Sequence, residues 1–423
     1  MLLSEQGAMR FDEMLSAHAS TLSGSRYAEY FADPYRFFAW ARAEAPVLHI
    51  PELDAWAVAR FDDIRAVFRN PETFSAANVR QPPVPLCPRA EEIYRSAGVR
   101  REPALIDEDS TAHRRSRQLF GKGLSARTVA QYEPKVRTIV SRLIDGFEDE
   151  GRADLVVRFL HPVASRMTFH LLGGNDEDFD LADWPGGMPR VQVLGAASEA
   201  AQVSLVNTAV RLWSFGGRLL EAAIREPGDN YLGDIVRARR EDPAVFTDNY
   251  LHNVVVALQM AGADTQSHSL AHGIRAMLTD GGIWARLCAD PGVIPNATEE
   301  ILRLCTPTLM FPRLATRDVE VAGRQIPAGA RVLLLLASGN RDETVFPDAA
   351  TMDIDRENAR DHLTFGHGVH FCLGAPLARL QMKVILEELT RRLPDMRLAD
   401  DSPPEVFRTF SFRGLTHLTV EWG

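Results

Sequence analysis

The residues best suited to chemistry lie in a glycine-rich loop around one cysteine. The loop reads FGHGVHFCLG and begins at Phe365, with Gly366 and Gly374 on either side of Cys372. Glycine permits positive φ angles and lets a backbone approach a flat ligand closely. Pro376 suits the first turn of a following helix, and a cysteine just before a helix N-terminus favours the thiolate form.

A thiolate in such a loop is a nucleophile, a zinc ligand or an axial ligand of haem. Zinc needs further ligands, for which His367 and His370 are candidates, but no second cysteine is near. A nucleophile needs a base and an oxyanion hole, for which the sequence shows no case. The pattern FGxGxHxCxG recurs by chance on the order of once in 10^8 windows, so we interpret the loop as functional. Free cysteines are commonly buried and inert, and this interpretation fits Cys87, Cys288 and Cys305.

Three further motifs have helical spacing and each admits an ordinary structural interpretation. His113 and Arg117 are four residues apart, and Glu300 and Arg303 are three apart, so each pair shares a helix face. Such pairs are typical of solvated surfaces. Residues 261–265 read AGADT, in which the threonine can bond back to the carbonyl four residues earlier.

Helical periodicity dominates residues 110–383, and the longest helix is predicted over residues 248–278. Strand patterns occur at residues 47–50, 56–59, 319–321, 331–336 and 416–421. The fold class is therefore mainly α with small β-sheets, in one domain over residues 1–423. We expect the first 25 residues to be loosely ordered. The proline-rich segment 78–103 reads as a long irregular loop, and such loops are usually functional.

Composition excludes several classes of protein. The 423 residues include 47 basic and 57 acidic side chains, and a net charge of −10 disfavours nucleic-acid binding. Four scattered cysteines indicate a reducing compartment rather than a disulfide scaffold. The N-terminus has no apolar run for a signal peptide or membrane anchor, so we expect a soluble, cytoplasmic, monomeric protein without a membrane partner.

The cysteine loop resembles the haem-binding loop of the cytochrome P450 family, in which a thiolate ligates the iron. The resemblance extends from about Ala32 to Trp422, in the manner of the soluble bacterial members. It implies the P450 fold, with a long central helix over haem b. Cys372 would be the axial iron ligand, and Phe365, Gly366 and Gly374 would surround the cofactor.

The same resemblance assigns the propionate site. His113 and Arg117 are similar to a family pair that binds the haem propionates, with Arg313 and His370 completing the set. The family usually has prolines just before this histidine, whereas residues 110–112 read STA here.

The central helix would carry the candidate catalytic residues. Asp264 and Thr265 resemble the family's acid–alcohol pair, which relays protons to dioxygen while the thiolate pushes electron density onto the iron. By the same resemblance Gly262 would open the helix so that dioxygen fits, and Ala261 would lie in the cofactor site.

Two further features are implied by the resemblance. Glu300 and Arg303 are similar to the family's ExxR motif, which joins an arginine from the later region 340–356 and is structural rather than catalytic. The substrate pocket, expected to take an apolar molecule of moderate size, would be lined by residues 78–103, 191–206, 308–311 and 410–412 and by the central helix up to Ala261.

The resemblance implies a haem-thiolate monooxygenase, which inserts one oxygen atom into an organic substrate and reduces the other to water. No flavin or ferredoxin extension follows Gly423, so ferredoxin and ferredoxin reductase are the expected electron donors. Arg114, Arg115 and Lys122 either form a basic patch for an acidic ferredoxin or are scattered surface residues.

Three other functions are compatible with a haem-thiolate loop. A peroxygenase or a non-catalytic haem-binding sensor or recruitment module would tend to lose the acid–alcohol pair, so Asp264 and Thr265 argue against both. Diverted oxidation, such as coupling or dehydrogenation, uses the same haem chemistry and stays open.

Overall fold

The computed structural model describes residues 30, 33–81, 85–175, 179, 199–400, 403–408 and 410–423. The expected loose order of the first 25 residues lies outside these ranges, as do residues 191–198 of the expected pocket wall. No helix in the described ranges is both long and apolar enough to cross a membrane.

Helices make up most of the described chain. In chain order they are α1 (Pro34–Glu44), α2 (Phe61–Phe68), α3 (Pro88–Ser96), α4 (Ser110–Gly121), α5 (Ala126–Ala130), α6 (Glu133–Asp145), α7 (His161–Leu171), α8 (Glu199–Arg225), α9 (Tyr231–Ala238), α10 (Asp248–Thr279), α11 (Gly281–Ala289), α12 (Ile294–Leu304), α13 (Leu336–Gly339) and α14 (Ala375–Arg392). The segment 78–103, predicted to be irregular, contains α3, for which Pro88 supplies a favourable first residue.

The strands are short and flank the helices. In chain order they are β1 (Val47–Ile50), β2 (Ala55–Val58), β3 (Phe74–Ser75), β4 (Arg152–Asp154), β5 (Phe311–Ala315), β6 (Val319–Val321), β7 (Arg324–Ile326), β8 (Arg331–Leu334), β9 (Arg397–Leu398), β10 (Val406–Arg408), β11 (Arg413–Leu415) and β12 (Thr419–Glu421). The largest sheet has the order β1-β2-β8-β5-β3, with only the β2–β8 pair parallel. The predicted β1–β2 hairpin is confirmed, whereas β8 ends two residues early because α13 begins at Leu336.

The central helix, α10, matches the predicted bounds to within one residue. It begins where the Thr247 side chain accepts a hydrogen bond from the backbone N–H of Tyr250, an N-cap contact that fixes its start. Leu251, Val255 and Ile274 on this helix are buried in the largest hydrophobic core. Since α10 is covered along most of its length, it serves as the support on which neighbouring helices pack.

Glu300 and Arg303 do not form a surface pair, as their spacing alone would indicate. Both side chains are 0 % exposed, and Arg303 Nη2 lies 2.6 Å from Glu300 Oε1. Arg356 Nε lies 3.1 Å from the same oxygen, which confirms the predicted arginine from the later region. Arg303 also donates to the carbonyl oxygens of Asn340 and Ala349. One carboxylate thus ties α12 to the chain between α13 and the cysteine loop.

We predict that Glu300→Ala lowers the free energy of unfolding by about 3–5 kcal/mol, because it leaves two buried guanidinium groups without their carboxylate. Urea unfolding of the variant measures this loss. Glu92→Ala is the matched control, since it removes the exposed Glu92–Arg95 pair and is expected to change the value by under about 1 kcal/mol. Equal losses in the two variants would contradict the structural role of Glu300.

Candidate functional site

The cysteine loop depends on its glycines for its shape. Gly366 and Gly368 have φ angles of +68° and +73°, in the left-handed region that side chains disfavour. A Cβ at Gly368 would also lie 2.7 Å from the backbone oxygen of Phe68, at the end of α2. The N–H of Cys372 donates to the carbonyl of Phe365 at 2.8 Å, which closes the loop before α14 begins.

The thiol of Cys372 has a mixed electrostatic environment. Although part of the residue remains exposed, burial of the sulfur raises the pKa of this thiol above its usual value. Hydrogen bonds from the backbone N–H groups of Gly374 and Ala375 and the charge of Arg117 act in the opposite direction but are weaker. Contrary to the expectation from the sequence, the protein groups around this sulfur do not by themselves favour the thiolate, and a bound metal cation would supply the stabilisation that it lacks.

Four predicted basic residues come together from three elements beside this loop. His113 and Arg117 lie on α4, which begins at Ser110 without the family's prolines. Arg313 comes from β5, and His370 comes from the cysteine loop itself. The rings of His113 and His370 are tilted by 37° with their centroids 3.9 Å apart. We call these four side chains the basic cluster.

Burial and mutual charge lower the pKa values within the basic cluster. Burial, followed by the neighbouring His113, Arg313 and Arg117, lowers the pKa of His370 to about 3. Burial and the charge of Arg117 also lower the pKa of His113, although Asp109 partly opposes the effect. The pKa of Arg313 falls to about 10, chiefly because this side chain is buried. An anion bound among these groups would reduce the free-energy cost of burying positive charge there.

Asp109 does not neutralise the basic cluster. Its Oδ1 lies 3.9 Å from His370 Nε2, beyond hydrogen-bond distance. The carboxylate instead accepts hydrogen bonds from the N–H of Ala76 at 3.0 Å and from the hydroxyl of Ser75. This one carboxylate also faces two guanidinium groups, so the cluster keeps an excess of positive charge.

Asp264 and Thr265 on α10 point in different directions. Thr265 is partly exposed, and its hydroxyl donates to the carbonyl of Ala261 at 2.8 Å, as the ordinary structural interpretation expected. Asp264 is buried toward α7, where its Oδ1 lies 3.1 Å from His161 Nε2. His161 was not among the predicted site residues, because no local pattern links residues that are 103 positions apart.

Comparisons with known proteins agree with this geometry. The sequence model of the Cytochrome P450 family matches residues 293–412. The 6-deoxyerythronolide B hydroxylase of Saccharopolyspora erythraea is 31% identical over 403 residues, which cover 92% of this chain and 96% of that protein. The chain belongs to the cytochrome P450 family. It is a haem-thiolate monooxygenase, an oxidoreductase that acts on small molecules with electrons from redox partners. The non-catalytic alternative is therefore not favoured.

Further relatives support the same conclusion. The monooxygenase PikC of Streptomyces venezuelae is 32% identical over 411 residues, covering 94% of this P450 and 93% of PikC. The solved P450 heme domain of Tepidiphilus thermophilus is 36% identical, with a TM-score of 0.88 and coverage of 93% and 94% of the two chains. An intact type IV self-sufficient P450 monooxygenase has a TM-score of 0.89 at 36% identity, and the match covers 93% of this P450 and 52% of that chain. The predicted fold class is confirmed.

The residues present fit a haem. His370 Nε2 is buried and has no hydrogen-bond partner in the described part of the chain, and it belongs to a cluster with excess positive charge. A haem carries two carboxylates, whose natural partners are charge-assisted hydrogen bonds from arginine and histidine. Gly374 keeps side-chain atoms away from one side of Cys372, since a Cβ there would lie 3.9 Å from the sulfur.

A cavity of about 400 Å³ lies against the exposed face of α10. As predicted, its wall includes parts of segments 78–103, 308–311 and 410–412, among them Val79, Met310, Phe311 and Phe410. Met260 and Ala261 supply the α10 side. The cavity is mostly apolar, which suits an apolar substrate.

The described part of one predicted wall, residues 199–206, does not line the cavity. Leu205 and Val206 pack against Ala90 and Tyr94 of α3 instead of lining the cavity. The contribution of α8 comes one to two turns later, from Ala209, Leu212 and Trp213. Part of the wall is polar, and there Arg80 pairs with Asp107 at 2.8 Å.

Gly262 does not open the central helix. α10 is a continuous α-helix through this residue, and the glycine faces Thr168 on α7. A Cβ at position 262 would lie 3.1 Å from Thr168 Cγ2 and overlap its hydroxyl oxygen. The glycine therefore allows α7 and α10 to pack closely.

We predict that Gly262→Ala is less stable to unfolding than Gly281→Ala by about 1–3 kcal/mol, the usual cost of overpacking. Gly281 is a matched control at the start of α11, because a Cβ there meets no atom within 4 Å. Removing the obstruction with Thr168→Ala is expected to restore the stability of Gly262→Ala. Thermal unfolding measures all three, and no difference between the two glycine variants would refute the packing role.

Proposed function

We propose that this P450 binds haem b through Cys372, holds its two propionates with the basic cluster, and hydroxylates an apolar small molecule. The observation that carries the proposal is the excess positive charge beside the cysteine loop, together with the buried His370 Nε2, which has no hydrogen-bond partner among the described residues. We further propose one haem domain over residues 1–423 that acts as a monomer.

The roles of the side chains follow from their positions. When bound, thiolate-ligated haem supplies the reductive activation of dioxygen and the insertion of one oxygen atom into the substrate. Cys372 provides the thiolate, and the basic cluster orients the propionates. Thr265 holds a proton on Oγ1 at the partly exposed face of α10, and the carboxylate of Asp264 takes up a proton from solvent and passes it on to replace this one. The apolar cavity wall excludes water and orients the substrate.

An apolar substrate of moderate size is the class that the cavity supports. Its volume of about 400 Å³ falls in the usual range for small-molecule sites, and Met260, Met310 and Phe311 line it. By name, relatives act on 6-deoxyerythronolide B and mycinamicin IV, while the solved P450 CREJ binds (4-ethylphenyl) dihydrogen phosphate. Titration of the ferric protein with apolar compounds, read as a low-to-high-spin shift, identifies the compounds that reach the iron.

A separate ferredoxin with its reductase is the proposed electron source. Val369 and Phe371 on the cysteine loop are 47% and 37% exposed, which offers an apolar centre for a docking partner. Lys122 is exposed, whereas Arg115 pairs with Asp242 at 3.3 Å and Arg114 donates to the Thr111 hydroxyl, so only part of the basic patch is available. All four cysteines are free thiols, which supports the cytoplasm as the location.

The test of this function is Cys372→Ala. We expect the purified, haem-reconstituted variant to lose the thiolate-type Soret band of the reduced carbon-monoxide complex and to form no hydroxylated product, because the sulfur ligand is gone. Cys288→Ala is the matched control and is expected to keep both, since Cys288 lies on α11 and contacts the carbonyl of Pro394. A thiolate-type band that persists in Cys372→Ala would overturn the ligand assignment.

A further inference from the structure

The contact between His161 and Asp264 is not explained by the cysteine loop, the basic cluster or the cavity. Its two atoms, His161 Nε2 and Asp264 Oδ1, are 3.1 Å apart. The side chain of Asp264 is 9% exposed, whereas that of His161 is 24% exposed. The histidine therefore links a buried carboxylate on the central helix to a less buried position on α7.

The backbone before α7 is specialised in a way that positions His161. Residues Val156–Leu160 form a π-helix, and the N–H of His161 donates to the carbonyl of Val156. A π-turn contains one residue more than an α-turn between its hydrogen-bonded groups, so it shifts the following side chains around the helix axis. Such turns occur frequently at functional sites.

Two further contacts fix the histidine relative to α10. His161 Nδ1 lies 3.4 Å from the hydroxyl of Ser165, one turn along α7. Gly262 lets Thr168 approach α10 closely, so the two helices are held at short range beside Asp264. These contacts restrict both the ring and the carboxylate that it meets.

We propose that His161 is a positioning residue for the oxygenation reaction, which holds the carboxylate of Asp264 behind Thr265. A buried carboxylate is costly unless it accepts hydrogen bonds, and a bond from a histidine N–H is among the stronger ones. With the carboxylate held, its distance from the Thr265 hydroxyl is fixed from one turnover to the next. This inference rests on the proposed function, because it gives the Asp264–Thr265 pair a role in proton delivery.

The contact itself is tested without turnover. We would measure urea unfolding midpoints for His161→Leu, Asp264→Asn and the double variant. If His161 holds Asp264, the loss of stability in the double variant is smaller than the sum of the losses in the two single variants. The reason is that either single substitution already breaks the contact, so the second one cannot break it again. Strictly additive losses would overturn the contact.

The functional role is tested in the protein reconstituted with ferredoxin and reductase, at saturation with a compound that gives a spin shift. We expect His161→Leu to lower product formed per NADPH by about tenfold, with its spin-shift dissociation constant unchanged. His161→Gln, which keeps an N–H donor, is expected to retain most of the coupling. If the role of His161 were merely structural, His161→Leu and His161→Gln would have the same coupling. Equal coupling in both variants would therefore overturn the proposal.

His417→Gln is the matched control. It removes another histidine–aspartate pair, in which His417 Nδ1 lies 2.5 Å from Asp154 Oδ2. This pair bonds β4 to the chain before β12 and does not reach Asp264, so coupling is expected to stay at the wild-type value. If the wild type itself forms no product, the proposed function has failed, while the unfolding cycle still decides whether His161 holds Asp264.

Discussion

Positive charge held against the cysteine loop is the constraint on which the rest of the structure depends. α4, β5 and the loop each contribute to the basic cluster, and bringing buried basic groups together costs free energy unless an anion binds among them. Rigid parts of the fold hold these basic groups in place despite this cost. The glycines fix the loop, and Glu300 joins two arginines so that the chain leading to the loop cannot shift. The cluster is therefore preorganised for a dicarboxylate such as haem.

The central helix separates two environments of opposite character. One face presents Met260 and Ala261 to an apolar cavity, where an apolar molecule can displace water. On another side Asp264 meets His161, in a polar contact held by close helix packing. Adjacent residues in a helix point about 100° apart, so Asp264 and Thr265 can connect these environments while the helix keeps them separate. An oxygenase needs this division, because protons must arrive where bulk water is excluded.

Local sequence patterns predicted local structure well, but they did not predict packing between residues that are far apart in the chain. The ends of α10 could be predicted because helical periodicity and the N-cap residue depend only on residues close together in the sequence. The loop could be predicted because positive φ angles require glycine. Spacing placed Glu300 and Arg303 on one helix face, but what covers that face depends on a segment about 50 residues later. The partner of Asp264 and the role of Gly262 both depend on α7, and no pattern around residues 261–265 reveals them.

The ligand role of Cys372 is tested most directly by a crystal structure of the haem-loaded protein with anomalous data collected at the iron absorption edge. We expect a single iron peak at bonding distance from the sulfur of Cys372, with both propionates among His113, Arg117, Arg313 and His370. An iron peak away from Cys372, or propionates that point away from the basic cluster, would contradict it.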